Sequence, residues 1–137
     1  PLSCQNELQE SIDLTAGNTT VTLILALSYS SKWEITHSVR QIAEQIEKGQ
    51  IHAKDITPDL VEKHLNTSQW PDPELMIRTS GEHRISNFLL WQLAYAEFYF
   101  TDVLWPDFRK NEFFQAIISY QNRERRFGKT SEQLTNH

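Results

Sequence analysis

The chain reads as an α/β fold, a parallel β-sheet flanked by helices. Three observations predict it. Residues 21–27 (Val-Thr-Leu-Ile-Leu-Ala-Leu) form a nearly continuous apolar run, the pattern of a strand covered on both faces. Two shorter apolar runs follow, at residues 75–77 and 98–100. Around them, apolar side chains recur at helical spacing, and strands alternating with helices argue a parallel sheet.

Taken in order, Cys4, Leu8 and Ile12 stand four residues apart and predict a helix over residues 4–16, stopped by Gly17-Asn18. The strand at 21–27 comes next. Ile35, Val39, Ile42 and Ile46 predict a second helix with these four on its buried stripe, closed by Gly49. Thr57-Pro58 is an N-cap followed by proline at the first helical position, so a short helix is expected to about Leu65. Trp70-Pro71-Asp72-Pro73 is a rigid connector. A strand at 75–77, a short helix at 88–94 and a strand at 98–100 follow, and Trp105-Pro106-Asp107 closes the last strand. Phe113 with Ile117, and Phe114 with Ile118, predict an amphipathic helix over 109–122. His37 and His64 read as helix-surface residues. Three strands are few for a sheet with a two-sided core strand, and the chain opens Pro1-Leu2-Ser3 with Met76 as its one methionine; both suggest a piece of a longer protein.

The bulk numbers exclude several classes. The chain has 137 residues, enough for one domain with a core, and 39% hydrophobic and 23% charged residues mark it as globular. A net charge of -5 gives no support to nucleic-acid binding. One cysteine, Cys4, rules out an internal disulfide framework and fits a reducing compartment. No apolar run reaches the roughly 20 residues needed to span a bilayer. No signal peptide is evident, so a cytoplasmic location is expected.

Three constellations could carry chemistry. The first is the loop after the 75–77 run, where Arg78, Arg84 and Ser86 gather two guanidinium forks and a hydroxyl just ahead of an expected helix start. Guanidinium groups bind anionic oxygens bidentately and helix-start N–H groups point at anions, which suits a phosphate or diphosphate. The plainer reading is two surface arginines paired with Glu82 and Asp72, and Ser86 or Asn87 capping the helix that follows. The second is His83 with Glu97, a possible share of a magnesium site completed by substrate phosphates and water. Its plainer reading is a strand-end glutamate in solvent or paired with an arginine. The third is Arg123-Glu124-Arg125-Arg126-Phe127-Gly128-Lys129, either a basic helix end complementing the macrodipole or an arm reaching a phosphate. Phe88, Leu89, Trp91, Tyr95 and residues 98–100 could wall a groove for an apolar ligand beside the first group. No nucleotide-binding glycine loop, Gly-x-Gly-x-x-Gly motif or His-Glu-x-x-His motif is present.

The stretch from Ile77 through Arg78, Thr79, Ser80, Gly81, Glu82, His83, Arg84, Ile85, Ser86, Asn87 and Phe88 to Gln92 closely resembles the signature of cis-prenyltransferases, specifically bacterial undecaprenyl diphosphate synthases. So do residues 94–97, 101–108 and 122–128, while residues 15–19 and 29–35 fit more loosely. The resemblance implies condensation of isopentenyl diphosphate with an allylic diphosphate such as farnesyl diphosphate, repeated to build a long cis-polyprenyl diphosphate, the precursor of the bacterial cell-wall lipid carrier. It implies that Arg78, Arg84, Ile85 and Ser86 hold isopentenyl diphosphate, that Glu97 binds Mg2+ with His83 nearby, and that Arg126 and Gly128 reach a partner's active site across a homodimer. The long apolar product also implies peripheral contact with the inner face of the membrane.

Departures from the family pattern are local. Ser28-Tyr29-Ser30-Ser31-Lys32 stands where the family usually has Asn-Tyr-Gly-Gly-Arg, and Ser80 where it has a second glycine. The resemblance covers only the family's C-terminal half. The Gly-Asn-Gly-Arg loop, the aspartate that binds magnesium with the allylic substrate and most of the elongation tunnel belong to the other half. No catalytic residue is therefore expected in this chain, and the polypeptide alone is expected to be inactive. Residues 1–130 are read as the C-terminal part of one prenyltransferase domain, an incomplete portion of that fold, and 131–137 as a disordered polar tail. The alternative is a non-catalytic binding or dimerisation subunit of a heteromeric prenyltransferase.

Overall fold

The computed structural model describes residues 2–123. Four α-helices and two strands are defined among them: α1 (Leu2–Thr15), α2 (Ser31–Glu47), α3 (Pro58–Glu62), β1 (Leu75–Arg78), β2 (Glu97–Phe100) and α4 (Lys110–Gln121). Single 3-10 turns form at Ala53–Asp55 and Trp105–Asp107. β1 and β2 pair in parallel, with Leu75 opposite Glu97 and Arg78 opposite Phe100. The α/β class is as expected, and α4 packs on β2.

Three helix boundaries follow from local chemistry. Ser30 caps α2, its Oγ accepting from the Trp33 N–H at 3.3 Å. Gly49 ends α2 at φ 68°, with its N–H on Ile46 O and the Gln50 N–H on Gln45 O, the paired bonds of a left-handed helix stop. Thr57 Oγ1 accepts from the Leu60 N–H at 3.2 Å, and proline at the first position starts α3. That helix ends at Glu62, and turns continue the path to Leu65.

Four expectations fail. Residues 21–27 form no strand but an extended segment without a sheet partner, with Val21 and Leu23 each 79% exposed. A strand exists by its ladder, and no described residue offers this run a ladder. Residues 88–94 form turns instead of a helix, because Ser86, Asn87 and Leu89 take left-handed φ values of 54°, 61° and 46°, which an α-helix cannot contain. The buried face of α2 is Ser31, Glu34, Ser38 and Ile42, and Val39 faces out. Small hydroxyls let α2 approach its neighbours: Ser31 Oγ accepts from the Leu90 N–H at 2.9 Å, and Ser38 Oγ donates to Val61 O at 3.3 Å. His64 is not a free surface residue, since its ring bridges Leu60 O (2.7 Å) and Gln45 Nε2 (2.9 Å), joining α3 to α2.

The core is small: Ile42, Leu65, Met76, Leu93 and Ala116 are its buried apolar members. They come from α2, the 64–68 turns, β1, the 88–94 turns and α4, one from each. The expected tail at 131–137 and the basic segment from 124 onward lie outside the described residues.

Candidate functional site

β1 runs toward Arg78, so that residue and the loop after it stand at the carboxyl end of the sheet, where open α/β folds bind ligands. The loop is anchored at once. The Ser80 N–H donates to Val103 O at 2.9 Å and the Gly81 N–H to Thr101 O at 3.0 Å, tying it to the segment after β2. Ser80 and Gly81 sit at φ 70° and 67°. At this φ glycine avoids left-handed strain, and a Cβ on it would also meet Asp102 Oδ1 at 3.1 Å, pushing that exposed side chain by a few tenths of an ångström. Ser80 pays the left-handed cost that glycine avoids, and Ser28, another position that departs from the family pattern, does the same at φ 53°.

The far end of the loop is bolted to the start of α2. The Asn87 carbonyl accepts from the Ser31 N–H (3.0 Å), Asn87 Oδ1 accepts from the Lys32 N–H (2.9 Å), and Asn87 Nδ2 donates to Ser30 Oγ (2.9 Å). With Ser30 Oγ on the Trp33 N–H, three first-turn donors of α2 are satisfied. Asn87 therefore caps a helix far earlier in the chain, not one that follows it. These helix-start amides are committed to protein, and the expected helix after the loop is absent, so anion binding here falls to side chains.

Those side chains differ in readiness. Arg78 is half-buried and makes no ion pair or hydrogen bond with its guanidinium among the described residues. The expected alternative pairing with Asp72 is not formed. Arg84 is paired with Glu82 at 2.6 Å, as the plainer reading had it, but 70% of its side chain is exposed, and such a pair exchanges at little cost. Ser86 is exposed and Ile85 half-buried beside it. His83 is exposed and lies against the Phe100 ring, with centroids 5.0 Å apart.

Glu97 is elsewhere. It opens β2, opposite Leu75, whereas Arg78 is opposite Phe100, the residue that His83 touches. Three residues of strand separate the two ends, about 10 Å along the sheet. The Glu97 carboxylate is held by Arg123 Nη1 at 2.8 Å, and no group of three or more metal-ligating side chains occurs among the described residues. The chain does not by itself bring His83 and Glu97 together as a magnesium site. Nearby, Tyr120 Oη donates to Glu74 Oε2 at 3.1 Å, so the end of α4 is fixed to the amino ends of both strands. Arg126 and Gly128 lie outside the described residues.

The site's scaffold contains residues that sequence reasoning missed. Glu34 is 1% exposed, and its carboxylate accepts from the Tyr29 hydroxyl, the Asn66 N–H (2.8 Å) and Gln92 Nε2 (3.2 Å). Gln92 Nε2 also donates to Thr67 Oγ1 at 2.9 Å, and its buried Oε1 has no hydrogen-bond partner among the described residues. A buried carboxylate persists only when its oxygens are satisfied, and here one carboxylate gathers three separate loops. Burial, then the hydrogen bond to Glu34, pushes the Tyr29 hydroxyl up to about 12. Burial and then the Glu62 charge raise the Asp72 carboxyl above its usual range. The one signal in the sequence was a glutamate at helical spacing from two serines, which reads as a solvated face. The expected apolar groove is also rearranged. A cleft of about 490 Å³ uses Phe88 and Leu89, but its other walls are residues 24–27, Trp33 and Trp70, while Trp91, Tyr95 and residues 98–100 take no part.

The family model described as "Putative undecaprenyl diphosphate synthase" matches residues 1–128. The chain belongs to the cis-prenyltransferase family. An isoprenyl transferase of Porphyromonas gingivalis is 54% identical over 134 residues, 98% of this chain and 53% of that protein. A farnesyl-diphosphate-specific ditrans,polycis-undecaprenyl-diphosphate synthase of Photorhabdus laumondii is 54% identical over 126 residues, 92% of this chain and 50% of that protein. Among solved structures, lavandulyl diphosphate synthase from Lavandula x intermedia, in complex with dimethylallyl diphosphate, superposes with a TM-score of 0.88 at 38% identity, over 94% of this chain and 56% of that one. The chain thus spans about half the length of the relatives it matches. No helix among the described residues is long and apolar enough to cross a membrane.

Proposed function

We propose that this chain supplies the isopentenyl-diphosphate half of a prenyltransferase that condenses isopentenyl diphosphate with an allylic diphosphate to give a long cis-polyprenyl diphosphate. The observation that carries it is the Arg78 guanidinium, without a partner among the described residues, at the carboxyl end of β1 beside a loop that presents Arg84 and Ser86. Arg78 binds the donor's diphosphate, Arg84 exchanges Glu82 for it, Ser86 adds a hydroxyl, and Ile85 packs between the two contacts. Two guanidinium groups on one diphosphate fix the donor's position as well as its charge, which is what a repeated condensation requires.

Magnesium is not assembled by these residues alone, since Glu97 is engaged with Arg123 and stands a strand-length from His83. The role of the C-terminal segment with Arg126 and Gly128 in a homodimer, and contact of the product with a membrane, rest on family membership. The accessory-subunit reading leaves the joint presence of Arg78, Arg84 and Ser86 unexplained.

The test is Arg84→Ala in the full-length enzyme. Loss of a charge-assisted contact of about 1.5–3 kcal/mol raises KM for isopentenyl diphosphate on the order of 10- to 100-fold. An unchanged KM refutes the assignment. Turnover of isopentenyl diphosphate by the 137-residue chain alone would refute its reading as an incomplete half.

A further inference from the structure

The loop that presents Arg84 and Ser86 ends in a strained turn. Ser86, Asn87 and Leu89 stand at φ 54°, 61° and 46°, where an L side chain crowds its own backbone. Asparagine visits this region readily; serine and leucine do so at a cost. Such a cluster persists only where its surroundings over-determine it, and strain of this kind gathers at binding sites.

The surroundings here are the first turn of α2. Four hydrogen bonds tie residues 87–90 to it, and Asn87 makes three of them: its carbonyl to the Ser31 N–H, its Oδ1 to the Lys32 N–H and its Nδ2 to Ser30 Oγ. The fourth runs from the Leu90 N–H to Ser31 Oγ, on a serine that is 0% exposed. The bonds of Asn87 and Leu90 thus bracket the left-handed Leu89. At the other end of the loop, Ser80 and Gly81 are held by Val103 and Thr101. Between these anchors residues 82–84 form no backbone hydrogen bond among the described residues, so the anchors set where Arg84 stands. Ser30 and Ser31 occupy positions where the family usually has glycines, so the two bonds to hydroxyl oxygens belong to this chain.

We infer that Asn87 is a positioning residue for the diphosphate site, fixing the turn from which Arg84 and Ser86 are presented, with Ser31 as its second fastening. It acts through those two side chains and not by contact with the substrate. The inference rests on the diphosphate reading above and deepens it, because a guanidinium binds a diphosphate well only when its fork is aimed beforehand.

The test compares Asn87→Ala, Ser31→Ala and Arg84→Ala in the full-length enzyme, with KM measured separately for isopentenyl diphosphate and for the allylic diphosphate. Asn87→Ala should raise KM for isopentenyl diphosphate roughly tenfold and Ser31→Ala about threefold, with KM for the allylic substrate unchanged. Lost stability alone lowers the folded fraction, which lowers the apparent kcat and leaves both KM values where they were. That result, with Arg84→Ala still raising KM, overturns the inference and leaves the diphosphate reading standing. An equal rise in both KM values also overturns it, as a general loosening. An unchanged KM in Arg84→Ala removes the reading and the inference with it. In an Arg84→Ala, Ser86→Ala background, Asn87→Ala should add less than about twofold, because its route to the substrate is already gone. A further rise of roughly tenfold in that background overturns the inference. Ser31→Ala removes one hydroxyl only, and carries the same comparisons where Asn87→Ala does not fold.

Discussion

Asn87→Ala separates the site's scaffold from its chemistry. Asn87 holds the loop of Arg78, Arg84 and Ser86 against α2 through two side-chain hydrogen bonds, to the Lys32 N–H and to Ser30 Oγ, each 2.9 Å. Losing a helix cap costs about 1 kcal/mol. The part-buried bond to Ser30 adds about 1 kcal/mol. Alanine at φ 61° adds up to about 1 kcal/mol, because asparagine tolerates the left-handed region better. The expected loss is therefore about 2–3 kcal/mol, a large share of a domain's stability. Asn87→Gly keeps the backbone conformation and should cost about 1–2 kcal/mol. Asn87→Asp keeps the acceptor and places a negative charge at the α2 start, where the helix macrodipole favours it, so it should cost less than about 1 kcal/mol. Urea unfolding followed by tryptophan fluorescence reads all three, Trp33 lying on the third residue of α2, with a constant slope confirming a change in stability alone. A loss below about 0.5 kcal/mol for alanine, or equal losses for alanine and aspartate, would refute the capping role.

Two further outcomes follow from the same geometry. Ser80→Gly relieves a left-handed serine at φ 70° and should stabilise the chain by about 0.5–1 kcal/mol, read as a raised Tm; a lowered Tm contradicts the strain. Tyr29 should ionise near 12 instead of 10.0 in an ultraviolet alkaline titration. Because its folded value is raised, its contribution to stability is complete below pH 10 and is lost as pH rises toward 12, and Tyr29→Phe should flatten that alkaline decline.

Local pattern alone specified the α/β class, α1, the body of α2 with its Gly49 stop, the capped start of α3, α4 and the place of the Arg78 loop after a strand. These depend on interactions within a few residues, or on periodicity, and so are written locally. The tertiary structure decided the rest. Whether residues 21–27 are a strand depends on a ladder partner, which no local pattern contains. Which face of α2 is buried was decided by hydroxyls that meet Leu90 and Val61, and by the three donors that converge on Glu34. That Asn87 caps α2, 55 residues away from Lys32, is a contact no spacing rule reaches. The separation of His83 from Glu97 came from the parallel register, which sets the start of one strand opposite the start of the other. The anion loop was legible because its chemistry is contiguous; its support was not, because that support is assembled from distant segments.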